Sequence, residues 1–271
     1  MAFILKTGYL TRSWLLVAVL SLLQLTSAQF CSFWSRDCIE PLAQTAVPFS
    51  FQPLFPDPIT LFYGFDALSS GKGQGPMTKT AFWLGYQDRN INQYAIDTNR
   101  TTEIALRIGN LTGSPAGGNN GCDGLWSDHC TRVIKKTIQS TIFHLASTTN
   151  HYHNPLELAL EHLMWNNPSL DPCPPQVFDV ASIPVQSFAR ESLPQQNVTV
   201  MTPGSGYTPW QVWYIDDMTS HQQASQVALG IISRTPIYDQ DPPHSPDDIQ
   251  VELICVQAPQ APPSGSSNSD D

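Results

Sequence analysis

Six cysteines behind a secretory leader constrain this chain more than any other feature. Lys6 and Arg12 flank the start of an apolar run that begins at Trp14 and ends at Leu25. Thr26-Ser27-Ala28 then places small residues where a signal peptidase cuts. The pattern predicts a signal peptide over residues 1–28, removed before Gln29. The run is too short to span a bilayer, and no apolar tail closes the sequence, so no membrane anchor is expected. The expected location is extracellular. An exported chain passes through an oxidising compartment, where an even cysteine count implies disulfides. Cys31, Cys38, Cys122, Cys130, Cys173 and Cys255 allow about fifteen pairings. Proximity along the chain favours Cys31–Cys38, Cys122–Cys130 and Cys173–Cys255. Cys122–Cys130 is expected to be the most secure, because its loop is short and follows glycines. C-x-x-C spacing is absent, so the cysteines do not read as a zinc site.

Other features agree with export. Asn99-Arg100-Thr101, Asn110-Leu111-Thr112 and Asn197-Val198-Thr199 are acceptor sequences for N-glycans, so a glycoprotein is expected. The 271 residues carry 13 basic and 23 acidic side chains, a net charge of −10. Beyond residue 136 the only basic residues are Arg190 and Arg234. A chain of this charge repels polyanions over long range, so nucleic acid is not an expected partner.

The prolines of residues 29–58 read as an irregular lead-in, because proline removes ladder donors. A globular domain is expected over 59–256. Its strand candidates are 59–63, 80–86, 102–108, 198–200, 210–215, 227–232 and 249–256, each rich in apolar or β-branched residues. Thr102, Ile104, Leu106 and Ile108 alternate with Glu103, Ala105 and Arg107, which predicts a half-buried strand. Between the strand groups lie two helices. Val133, Ile134, Ile138, Ile142 and Leu145 recur at helical spacing, with Ser127 or Asp128 as a cap. A second helix starts at Asn154-Pro155, buries Leu156, Ala159, Leu160, Leu163 and Met164, and stops at Asn166-Asn167-Pro168. The fold class is α+β: one disulfide-stabilised domain of mainly antiparallel strands with an inserted helical pair. Residues 257–271 are acidic, Pro- and Ser-rich, and read as a disordered tail.

Gly117-Gly118-Asn119-Asn120-Gly121-Cys122-Asp123-Gly124-Leu125-Trp126-Ser127-Asp128-His129-Cys130 is a glycine-rich approach to a helix start. With the late strand ending at Cys255-Val256, it resembles a diffuse group of secreted fungal proteins of unassigned function. The resemblance implies a fungal, extracellular protein and transfers no catalytic residue.

Three constellations could carry chemistry. His151 and His153 flank Tyr152 at a spacing metal sites use, within a cluster that also holds His129, His144 and His162. In a polar inter-helix segment the same pattern is ordinary surface, and no metal or other cofactor is expected. Asp216 and Asp217, with Asp239, Asp241, Asp247 and Asp248, supply loop carboxylates. Paired carboxylates hydrolyse glycosides when burial raises one of them. Trp210, Trp213 and Tyr214 offer aromatic faces that can stack on sugars, although alternating aromatics on a strand usually serve the core. The leading reading is a non-enzymatic recognition glycoprotein, with a cell-wall polysaccharide or another extracellular protein as partner. The alternative is an extracellular hydrolase that uses the loop carboxylates or the histidines.

Overall fold

A computed structural model describes residues 42–68, 75–85, 100–148, 153–187, 211–236 and 242–258. Among the described residues, eight strands form two four-stranded antiparallel sheets. The first sheet has the order β1 (Ala43–Phe51), β2 (Phe55–Leu68), β3 (Met77–Gly85), β6 (Gln211–Asp216). The second has the order β5 (Val185–Ser187), β4 (Arg100–Arg107), β7 (Ala228–Pro236), β8 (Gln250–Val256). Helices α1 (Asp128–Thr148) and α2 (Pro155–Asn166) fall between β4 and β5 in the chain. A short helix α3 (Ser220–Ser225) links β6 to β7. The α+β class, the antiparallel pairing and the helical pair set between strands agree with the sequence reading. Among the described residues, no helix is long and apolar enough to cross a membrane.

Burial separates three layers. Ile59, Leu61, Tyr63 and Phe65 of β2 join Phe82 and Leu84 of β3 in one core cluster. Opposite them in that cluster stand Ile104, Leu106, Ile232, Ile254 and Val256 of the second sheet. The other face of the second sheet presents Ala105, Leu229, Ile231, Val251 and Leu253 to Ile134, Ile138 and Ile142 of α1 and to Leu156, Leu160 and Leu163 of α2. The second sheet is therefore the middle layer. Each fully buried aliphatic or aromatic side chain contributes about 1.5–3 kcal/mol, and the two clusters together set the stacking order. The sheets approach most closely at Gly230, where an added Cβ would lie 2.6 Å from Cδ2 of Leu61.

This stacking corrects the reading of β4. Glu103, Ala105 and Arg107 do not face solvent, because the helical layer covers them. Period-two alternation reports two chemically different faces, and here both faces are inside. The lead-in also differs from expectation over residues 43–58, which form β1 and the start of β2. The prolines occupy places that tolerate them. Pro48 lies on β1, which among the described strands pairs only with β2, and Pro56 and Pro58 precede Thr60, where pairing of β2 with β3 begins. The expected strand at 198–200, the leader, the tail, and Cys31 and Cys38 lie outside the described residues.

The disulfides differ in partner. Cys122 bonds Cys255, and Cys130 bonds Cys173. Neither the Cys122–Cys130 nor the Cys173–Cys255 pairing exists. The glycine-rich segment docks on the edge strand β8 instead of closing on itself. Asn120 Nδ2 donates to the Leu253 carbonyl, 2.9 Å away. Gly121 has φ 87°, and a Cβ there would lie 3.0 Å from the Cys255 carbonyl oxygen, so glycine allows the approach. That contact delivers Cys122 to Cys255. Cys130, the third residue of α1, points to the segment after α2.

Candidate functional site

The α1–α2 layer carries the most distinctive surface among the described residues. Helix α1 starts where Ser127 Oγ accepts the Cys130 N–H at 3.3 Å. Its buried stripe is Cys130, Ile134, Ile138, Ile142 and Ala146. A second stripe, offset around the helix, contains Val133, Lys136, Thr137, Ser140, Thr141 and His144. With His162 of α2 it lines an open cleft of about 460 Å³.

Helix α2 is held rigidly. Pro155 opens it, and Asn167 ends it at φ 39° with its N–H donating to the Leu163 carbonyl. Asn154 sits at the cap position, but its amide donates to Glu157 and its side chain accepts no backbone N–H. The capping group comes from the middle sheet. Glu103 Oε2 accepts the Leu156 N–H at 2.7 Å, while Oε1 is buried without a partner. Burial pushes this carboxyl up to about 7, against the lowering effect of the Leu156 and Glu157 amides. Glu103 is fully inaccessible, so it holds the helix and does not meet a ligand.

On the opposite face of α2 stands Trp165, 89 % exposed, with Leu158 39 % exposed one face-repeat earlier. Leu158, His162 and Trp165 follow i, i+4, i+7 spacing, so their side chains neighbour one another. His162 belongs both to this row and to the cleft. An exposed row of Leu158, His162 and Trp165 therefore borders a cleft lined by hydroxyls, imidazoles, an ammonium group and Val133.

Arg107, two places beyond Ala105, fixes the chain that follows α2. Its guanidinium donates to the carbonyls of Gly109, Gln176 and Val177, and burial lowers it to about 10. On the far side of the molecule, Gln223 Nε2 donates to the Tyr63 hydroxyl at 2.7 Å and its Oε1 accepts from Thr78. Burial raises the Tyr63 phenol further above its usual range. Both networks are interior and satisfy buried polar groups.

The residues singled out from sequence are distributed differently. His144 and His162 meet at the cleft. His153 is exposed just before α2, and His151 lies outside the described residues. Among the described residues no three His, Cys, Asp or Glu side chains converge as metal ligands. Asp216 ends β6, and Asp217 occupies the turn after it at φ 55°, both exposed. Asp248 Oδ2 accepts the His244 and Ser245 N–H groups, which lower its carboxyl, and so it closes a tight turn. Asp239 and Asp241 lie outside the described residues. Of the aromatic trio, Trp210 lies outside them, Trp213 pairs with Thr80 in β6, and Tyr214 is 46 % exposed opposite Lys79. Among the acceptor asparagines, Asn110 is exposed in a left-handed turn, with one amide hydrogen donated to the Asp179 carbonyl. Asn99 and Asn197 lie outside the described residues.

Sequence reasoning missed Trp165. The signal was present, because Trp165 falls opposite Leu156, Leu160 and Leu163 on the helical wheel, where a polar residue is the rule. Comparison with protein-family models, with curated proteins and with solved structures finds no match to this chain.

Proposed function

We propose that this chain is a secreted glycoprotein that acts by surface recognition, and that its binding surface is the outer face of the α1–α2 layer with a cell-wall glycan as ligand. The observation that carries this reading is Trp165. A large aromatic side chain left in water on a well-packed helix forgoes its burial energy, and it offers a flat apolar face at low conformational cost. Sugar rings present apolar C–H faces of matching size, while their hydroxyls pair with donors and acceptors nearby. Thr137, Ser140, Thr141, His144 and His162 provide such groups within the adjoining cleft. The leader, the acceptor asparagines and two disulfides support export. The expectation of a fungal, extracellular protein makes a wall or medium component the ligand to test first. The hydrolase alternative draws no support from Asp216 and Asp217, which stand exposed at a turn.

A pull-down on insoluble wall polysaccharide tests the proposal. Trp165→Ala is expected to weaken binding about tenfold, equivalent to roughly 1.4 kcal/mol of stacking, with an unchanged circular dichroism spectrum. Tyr214→Ala is expected to bind as the parent does. Equal binding by Trp165→Ala and the parent would remove the α2 face from consideration.

A further inference from the structure

We infer that the α1–α2 cleft is a subsite for the carboxylate of an acidic glycan, an inference that rests on the recognition reading above and adds the class of sugar. The argument begins with what lines the cleft. Lys136 contributes an ammonium group, Thr137, Ser140 and Thr141 contribute hydroxyls, and His144 and His162 contribute imidazoles. Each of these can donate a hydrogen bond, the hydroxyls and neutral imidazoles can also accept, and Val133 adds an apolar wall. No carboxylate is among the described residues that line it, in a chain with 23 acidic side chains against 13 basic ones.

The neighbouring cations of α1 are already used. Arg132 pairs with Asp128 at 3.1 Å, and Lys135 pairs with Glu252 at 2.7 Å. Lys136 takes part in none of the ion pairs among the described residues. A cleft that combines an uncommitted ammonium group with hydroxyl and imidazole donors on a largely apolar wall complements a sugar that carries a carboxylate, whose ring can rest on the wall while its oxygens accept hydrogen bonds. The net charge of −10 slows the approach of a polyanion but does not decide contact chemistry. At physiological ionic strength charges beyond about 8 Å are screened, and Lys136 is the cation that the described lining of the cleft itself supplies. Trp165 and Leu158, beside His162, would receive the ring of the same sugar or its neighbour.

The test uses the full secreted protein and a wall polysaccharide containing glucuronic acid, before and after chemical reduction of its carboxyl groups to alcohols. The parent is expected to bind the acidic form about threefold to fivefold more tightly, the range of an exposed charge pair. Lys136→Gln, an exposed substitution, is expected to bind both forms as the parent binds the reduced one. Sodium chloride at about 0.5 M is expected to erase the difference. Equal binding of both forms by the parent, with Trp165→Ala weak on each, overturns the carboxylate subsite and leaves surface recognition standing. Failure of the parent to bind either form overturns both.

Discussion

Glu103 shows most clearly how a single side chain couples layers. It rises from the middle sheet, is wholly buried, and takes the first free N–H of α2. Its proton affinity is higher in the fold than in the unfolded chain, about 7 against 4.5. The folded state therefore binds more protons between those values, and stability falls as pH rises through that window. The full effect is about 3 kcal/mol, present below pH 4.5 and lost above pH 7. Glu103→Gln keeps an acceptor for Leu156 and removes the titration. Denaturant midpoints from pH 4 to 8 are expected to fall less steeply for Glu103→Gln than for the parent. Parallel curves would show that Glu103 carries no such linkage. Gly230 is the second informative residue. A methyl group there must displace buried Leu61, so Gly230→Ala is expected to cost about 1–3 kcal/mol in urea unfolding. Neither role was legible in sequence. Alternation assigned Glu103 to a face but could not say that a helical layer covers it, and a glycine in a strand does not reveal its neighbour across the sandwich.

At the scale of elements, the helices were legible because their apolar stripes and stop signals are local: Asn154-Pro155 and Asn167-Pro168 bound α2 as read, and Ser127 caps α1. Strands β3, β4, β7 and β8 were found from their apolar runs, with ends shifted by a few residues. Strand β1 was hidden by prolines, whose tolerance depends on which neighbour a strand has. The disulfides were misassigned for a related reason. Nearness along the chain favoured Cys122–Cys130, yet each cysteine is aimed by a contact distant in sequence, the first by β8 and the second by the segment after α2. Unreduced peptide mapping is expected to yield Cys122–Cys255 and Cys130–Cys173 fragments. Their loops, 133 and 43 residues long, are worth about 5 and 4 kcal/mol in the chain-entropy model. Cys122→Ser with Cys255→Ser is therefore expected to lower stability more than Cys130→Ser with Cys173→Ser. A recovered Cys122–Cys130 peptide would contradict the arrangement.

At the scale of the whole molecule, the fold places a rigid helical layer on a two-sheet base. The base anchors α2 through Glu103, and the disulfides tie the segment before α1 to β8 and α1 to the segment beyond α2. The surface that results is fixed, so recognition there needs little ordering on binding. The candidate site was partly legible: the histidine-rich stretch drew attention to this region, but as metal ligands. The aromatic reading pointed to β6 instead of α2, because Trp165 stands alone in sequence and gains its neighbours only from helical geometry. Oxidative footprinting read by mass spectrometry tests the central claim most directly, since it reports on each tryptophan of the native secreted protein. Free in solution, Trp165 is expected to oxidise readily, while Trp126, 7 % exposed with its indole N–H donated to Thr131, resists. With wall polysaccharide bound, Trp165 is expected to become protected and Trp126 to remain unchanged; equal oxidation of Trp165 in the free and polysaccharide-bound protein would contradict the account.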